Sequence, residues 1–309
     1  MKKHTQPNQL SVTFRTCILA ASFCAIGALG VSDAKAAPLA YDGFKIGGDG
    51  YTAGSLGGQN PTTLGFTGAW NQANIFGNGS AVVNSASALT YPSFTSDNTG
   101  GVATSSGGGS GVRVSRPLTN PFTTATAGTY YFSYLTQVPN TNKSGYVGLE
   151  MHSGGTDDSQ RTFQAGYNQD VAPFSPTNIT QWGIRVNNST IASSTVNAEA
   201  NTTALFVVKF TLSATNNSDS ITLWVNPSDL SSEAGSGAGT TLSGLNFTAD
   251  RIGFGDFFSD GGKFDELRVG TTFNDATTVV PEPGTVGLLM GGAGALLLRT
   301  RRRNQQPTA

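Results

Sequence analysis

The run from Gly255 to Glu266, GDFFSDGGKFDE, places four carboxylates, Asp256, Asp260, Asp265 and Glu266, in one short stretch. Glycines between them permit a tight turn, and hard oxygen donors at that density are calcium chemistry. The run is not an EF-hand, because counting from Asp256 the third loop position is Phe258 and the twelfth is Leu267. Asp157 and Asp158 form a second acidic pair. The competing account of all these residues is solvated turn acids, and calcium is the one cofactor the sequence suggests. Sugar recognition would instead stack an exposed aromatic ring on a sugar face. Trp70, Trp182, Tyr51, Tyr91 and Tyr167 are also available, and most of them fall in strand-like runs and are expected in the core. Trp224 shares its strand face with Thr222 and Asn226, so it is the expected exposed glycan contact.

Catalytic patterns are scarce. Glycoside hydrolysis needs two carboxyl groups flanking the scissile bond. Asp265 and Glu266 are adjacent, so on a strand they point to opposite faces. Glu150, Glu199 and Glu233 have no carboxylate partner at strand spacing. His152 is the only histidine after residue 36, which excludes a multi-histidine zinc site. It has no Gly-x-Ser-x-Gly elbow to serve, and the glycine-rich stretch 98–111 lacks the Lys-Ser/Thr pair of a phosphate loop. No catalytic residue is assigned, and the expectation is a protein that is not an enzyme.

The elements that would position these residues are strands. In TALFVVKFTLSA, Phe206, Val208, Phe210 and Leu212 share one face, a period of two that predicts a half-buried strand. Tyr130, Phe132 and Tyr134 alternate likewise, as do Trp182, Ile184 and Val186, and Ile221, Leu223 and Val225. Turn-formers separate these runs, for example Thr215 to Asp219. Residues 98–111 and 231–244 are expected to be long surface loops. No helical apolar period interrupts the pattern, which predicts an all-β, two-sheet antiparallel sandwich over residues 37–279.

The ends carry addresses. Lys2, Lys3 and Arg15 precede an apolar run from Cys17 to Val31, and Ala34-Lys35-Ala36 is a small-x-small cleavage site. That is the layout of a signal peptide, residues 1–36, implying export across the inner membrane. Both cysteines, Cys17 and Cys24, lie inside it, so the remaining chain has no thiol, disulfide or cysteine-held metal. Eight of 18 basic residues but two of 19 acidic residues lie in residues 1–36 and 280–309. The middle keeps 10 basic and 17 acidic residues, a formal charge of −7, which argues against nucleic acid or anionic lipid as its partner. At the other end Thr285 to Leu298 is apolar or small and is followed by Arg299, Arg301, Arg302 and Arg303. As a helix it would reach about 21 Å, a marginal anchor against a bilayer core of about 30 Å. The arginines would hold its end in the cytoplasm.

Pro281, Glu282 and Pro283, the short apolar segment and the arginine cluster together resemble the sorting tail of bacterial PEP-CTERM proteins, residues 280–309. The resemblance implies transient membrane anchoring, removal of the tail by an exosortase-type membrane protease, and release to the cell surface or an exopolysaccharide-rich matrix. Across the body, PLAYDGFKIGGDGYTAGSLGGQN, GAW, LFVVKFTL, ITLWVNP and FDELRVGTTFNDAT resemble the concanavalin-like, laminin-G-like jelly rolls of that family. That resemblance implies a final strand lying beside the first. The Glu-x-Asp-x-x-Glu strand of concanavalin-like glucanases is missing. The resulting expectation is an exported, non-catalytic surface or matrix protein associated with exopolysaccharide. A lectin-like module, calcium-assisted or not, is the first alternative and a polysaccharide-degrading enzyme the second.

Overall fold

The computed structural model describes residues 38–85, 88–94, 96, 101–105, 111–123, 126–141, 145–168, 181–257 and 261–278. The leader, the sorting residues Pro281, Glu282, Pro283, Arg299, Arg301, Arg302 and Arg303, and Asp260 lie outside them. No helix among the described residues is long and apolar enough to cross a membrane.

In chain order the strands are β1 (Ala40–Asp42), β2 (Gly54–Ser55), β3 (Asn71–Phe76), β4 (Ser80–Val83), β5 (Val102–Ser105) and β6 (Gly111–Phe122). They continue as β7 (Gly128–Gln137), β8 (Tyr146–His152), β9 (Arg161–Asn168), β10 (Gln181–Val186) and β11 (Thr190–Asn197). The last five are β12 (Thr203–Leu212), β13 (Asp219–Val225), β14 (Thr240–Leu245), β15 (Ala249–Phe257) and β16 (Lys263–Gly270). A nine-stranded sheet runs β14-β13-β12-β7-β16-β5-β4-β2, with β1 also on β16. A seven-stranded sheet runs β11-β10-β9-β8-β15-β6-β3. Every strand pairing is antiparallel. As the resemblance implied, the final strand lies beside the first, with Ala40 opposite Val269.

The period-2 runs face each other across the sandwich. Phe206, Val208, Phe210 and Leu212 of β12 join Phe132 and Tyr134 of β7 and Ile221 and Leu223 of β13 in a single core with Trp182, Ile184, Leu149 and Phe254 of the opposite sheet. Phe210 is a hub, with ring centroids 4.9 Å from Phe132, 5.0 Å from Phe163 and 4.8 Å from Phe247. Truncating it to alanine is expected to cost about 3–5 kcal/mol.

The strand expected to be half-buried is buried on both sides. Leu205 and Val207 of β12, with Tyr131 and Leu135 of β7, form a second apolar layer outside the nine-stranded sheet. Phe273 and Ala276 of a short helix, α1 (Phe273–Thr277), cover it. Five residues are too few to be stable alone. A capping box holds this turn: Thr272 Oγ1 accepts from the Asp275 backbone N–H and the Asp275 carboxylate accepts from that of Thr272. The two expected long loops are also shorter than the composition suggested, because Val102–Ser105 is a strand and Thr240–Leu245 forms the edge of the nine-stranded sheet.

Candidate functional site

On the seven-stranded sheet the alternation that sends Val114, Phe254, Leu149, Met151, Ala165 and Ile184 into the core sends their neighbours to the outer face. Strand register aligns those neighbours into two rows. One reads Ser115, Gly253, Glu150, Gln164, Arg185 across β6, β15, β8, β9 and β10. The next reads Arg113, Gly255, Gly148, Gly166, Gly183 across the same strands. The glycines give the polar side chains room to lie flat. A Cβ at Gly255 would stand 2.7 Å from the Glu150 carboxylate carbon, closer than real atoms approach.

Glu150, 0% exposed, is the centre of the polar row. Its Oε2 accepts a short hydrogen bond from Arg113 Nε and lies 3.2 Å from His152 Nε2. Its Oε1 accepts from Gln164 Nε2 at 3.0 Å and from Arg161 Nη1 at 3.2 Å. Arg113 Nη2 and Arg161 Nη1 both reach Asp158 Oδ1, at 3.0 and 2.6 Å. Asn188 Oδ1 accepts from Arg161 Nη2 at 2.8 Å. Asp158 is 66% exposed and marks where the cluster meets solvent. Burial alone would push the Glu150 carboxyl up; the charge of Arg113, the His152 hydrogen bond and the charge of Arg161 reverse that and hold it well below the usual carboxylate range. The site therefore keeps a permanent, buried carboxylate.

Three polar atoms inside this face have no hydrogen-bond partner: His152 Nδ1, Gln164 Oε1 and Arg185 Nε. Leaving a buried donor or acceptor unmade costs about 1–3 kcal/mol each. Two of the three are on residues that also hold Glu150, so the buried cluster is held at a cost in unmade hydrogen bonds.

The residues expected from sequence are placed differently. Asp256 is on β15 and Asp265 and Glu266 are on β16, in different sheets. Asp265 Oδ2 accepts the Leu89 N–H at 2.8 Å and its Oδ1 the Glu266 N–H at 2.9 Å. Glu266 Oε2 accepts from Arg268 Nη2 at 2.7 Å. Glu266 has φ of 55° at a break in the β16 register, so the pair does not alternate as on a regular strand and both side chains are buried. The run therefore does not gather Asp256 with Asp265 and Glu266 on one strand pair, and no group of three or more His, Cys, Asp or Glu side chains that could hold a metal occurs among the described residues. Asp158, of the second acidic pair, is bridged by arginines instead.

Trp224 corrects a second expectation. It is 6% exposed, because Phe273 of α1 packs edge-on against it at 6.2 Å and its indole N–H donates to the Gly237 carbonyl at 2.9 Å. A strand face that carries Thr222 and Asn226 was covered by a helix arriving from elsewhere in the chain. Trp70, Trp182, Tyr51 and Tyr167 are core, as expected.

A second buried carboxylate lies in the segment after β1. Asp42 Oδ2 accepts from Tyr51 Oη at 2.7 Å, and Tyr51 Oη accepts from Trp70 Nε1 at 2.7 Å. Arg116 Nη1 stands 3.6 Å from Asp42 but donates to Thr63 Oγ1 at 2.6 Å, and its Nε and Nη2 donate to the carbonyls of Gly68 and Pro61. Burial pushes Asp42 up to about 7, against the Tyr51 and Phe44 hydrogen bonds and the Arg116 charge.

The sequence reading missed the Glu150 cluster. Glu150 and His152 are two apart in LEMH, a signal that both share one strand face, and isolated glycines within strands at 148, 166, 253 and 255 marked close approach above them.

No protein-family model and no curated protein matches the chain. Among solved structures it is similar to an endo-β-1,4-glucuronan lyase from the fungus Trichoderma reesei, at 11% identity and TM-score 0.45, covering 76% of this chain and 96% of that one. It is similar to the globular domain of T. cruzi calreticulin, at 13% identity and TM-score 0.41, over 68% and 87%. It is also similar to the metal-free carbohydrate recognition domain of Emp46p, at 8% identity and TM-score 0.40, over 66% and 88%. At these values none of them assigns a role to a residue of this chain.

Proposed function

We propose that this chain is an exported, non-catalytic surface or matrix protein that binds polysaccharide on the outer face of its seven-stranded sheet, at the Glu150 cluster. Its processing partners are the secretion machinery and an exosortase-type membrane protease, by the resemblance of its tail. The observation that carries the binding reading is the charged cluster on that face, which meets solvent at the exposed Asp158 and the half-buried Arg185. A sheet face that merely met water would have no reason to bury two arginines, a glutamate, a histidine and a glutamine, because desolvating each charge costs several kcal/mol. The Asp158 carboxylate and the Arg185 guanidinium are the groups of this cluster within reach of a sugar's hydroxyls.

The same geometry supports binding over two-carboxylate hydrolysis. Glu150 is held ionised and has no proton to deliver to a leaving group. Asp158 shares Arg113 and Arg161 with it, so both acids are tied up in ion pairs with the same two arginines.

The test is binding of the protein to a polysaccharide panel that includes its producer's own exopolysaccharide, with chain length followed by size-exclusion chromatography. Saturable binding that weakens in Arg185→Gln, with polymer length unchanged, is expected. Progressive shortening of the polymer would overturn the non-catalytic half of the proposal, and absence of binding to every glycan would overturn the other half.

A further inference from the structure

We propose that Asn78 and Gly79 form a self-modifying site, at which the Asn78 side chain is converted without an enzyme into aspartate or isoaspartate. The chemistry needs an asparagine side chain free to swing onto the next residue's backbone nitrogen, and a next residue with no Cβ to crowd that approach. Asn78-Gly79 is the one Asn-Gly pair in the sequence. Asn78 is exposed in the turn that leaves β3, and its side-chain amide makes no hydrogen bond among the described residues. The Gly79 N–H has no hydrogen-bond acceptor among them either.

Other turn asparagines lack one or both conditions. Asn188 Oδ1 accepts from Arg161 and its Nδ2 donates to the Asp158 carbonyl. Asn201 Nδ2 donates to the Pro139 carbonyl, and Asn226 Oδ1 accepts the Leu205 N–H. Asn216 and Asn217 are exposed and make no side-chain hydrogen bond among the described residues, but they precede Asn217 and Ser218, whose Cβ atoms crowd the nitrogen. They are the internal control for the missing Cβ of Gly79.

The steps need only water. The Gly79 nitrogen gives up its proton and attacks Asn78 Cγ; the new C–N bond forms, the Cγ–Nδ2 bond breaks, and ammonia leaves a cyclic succinimide behind. Water then opens the ring, and the nitrogen takes back a proton. Addition at Cγ restores the ordinary main chain with an aspartate. Addition at the Asn78 backbone carbonyl leaves the chain running through Cβ and Cγ, one carbon longer, as isoaspartate.

That extra carbon falls where the fold has little slack. The turn carries the chain from β3 in the seven-stranded sheet to β4 in the nine-stranded sheet. Gly79 is buried so closely against Gly111 that a Cβ on it would lie 2.9 Å from the Gly111 carbonyl atoms. Gly111 is also the residue opposite Phe76 where β3, the edge strand, pairs with β6. Lengthening the chain beside this contact loosens the sheet edge, whereas a plain aspartate adds only a negative charge. Older copies of the protein are thereby marked by charge and weakened at one edge.

The experiment incubates the full protein in mildly alkaline buffer and follows its peptides by mass spectrometry, with isoaspartate detected by enzymatic methylation of its carboxylate. The peptide carrying Asn78 is expected to show the amide-to-acid mass change ahead of every other asparagine, with isoaspartate among the products. Asn78→Gln, whose ring would be one member larger, should lose the change. The isoaspartate fraction, separated by ion exchange, should melt below both the fresh protein and the Asn78→Asp variant. No conversion at Asn78, earlier conversion at Asn216 or Asn217, or aspartate without isoaspartate would overturn the site. An isoaspartate fraction that melts with Asn78→Asp would overturn the loosening of the edge.

Discussion

Asp42 and Glu150 are both carboxylates with no exposed surface, each beside an arginine, yet one is pushed towards neutrality and the other held ionised. The difference is where the guanidinium N–H groups point. Arg116 spends its donors on Thr63 and two backbone carbonyls, so Asp42 feels its charge across 3.6 Å without a direct hydrogen bond. Arg113 and Arg161 aim theirs at Glu150 itself. Desolvation is common to both; at Glu150 two guanidinium charges in direct contact outweigh it, whereas at Asp42 neutral donors and one more distant charge offset only part of it. Asp42 belongs to a network that knits the segment after β1 to β6, whereas Glu150 is the fixed charge of a buried cluster that meets solvent at Asp158.

Four measurements would sharpen or break this contrast. The largest effect is expected from Glu150→Gln, which leaves Arg113 and Arg161 with only the exposed Asp158; unfolding in denaturant should show a loss of about 3–5 kcal/mol. The corresponding Asp42→Asn should cost far less at pH 5, and a similar loss from both would erase the distinction. The second is pH. Asp42 has a folded value of about 7 against an ordinary 3.8, so its contribution is complete below that ordinary value and is lost as pH rises through about 7, up to about 4 kcal/mol. Glu150 is depressed below its ordinary 4.5, so its contribution is present above that value and is lost as pH falls. Melting temperature should therefore fall on both sides of a weakly acidic optimum, and Asp42→Asn should flatten only the alkaline side. Third, Gly255→Ala drives a Cβ into the Glu150 carboxylate and should cost about 1–3 kcal/mol together with weaker glycan binding. Smallest is Tyr51→Phe, at about 1 kcal/mol, which removes the donor to Asp42 and should move the alkaline limb to still higher pH without touching binding.

The sheets were legible because alternation along a strand is local. The residues of β7, β10, β12 and β13 assigned to one face by period two do share the inter-sheet core. What failed was anything that depended on a third layer or on strand order. Trp224 reads as exposed until α1 is known to fold back over β13, and a five-residue helix leaves no periodicity to find. Glu150 reads as a lone acid because Arg113 reaches it from β6, across β15, a strand that comes about a hundred residues later in the chain. The acidic run from Asp256 to Glu266 misled for the opposite reason, since closeness along the chain was taken for closeness in space while the run spans two sheets.

The pairing of β1 with β16 bears on how such a chain reaches its final form. Partners at opposite ends of the described chain cannot meet until nearly all of it is available, and contacts so distant in sequence make folding slow. The nine-stranded sheet is thus completed only when its last strand, β16, pairs with β1 and β7, and most of the chain must be in place before that seam can form.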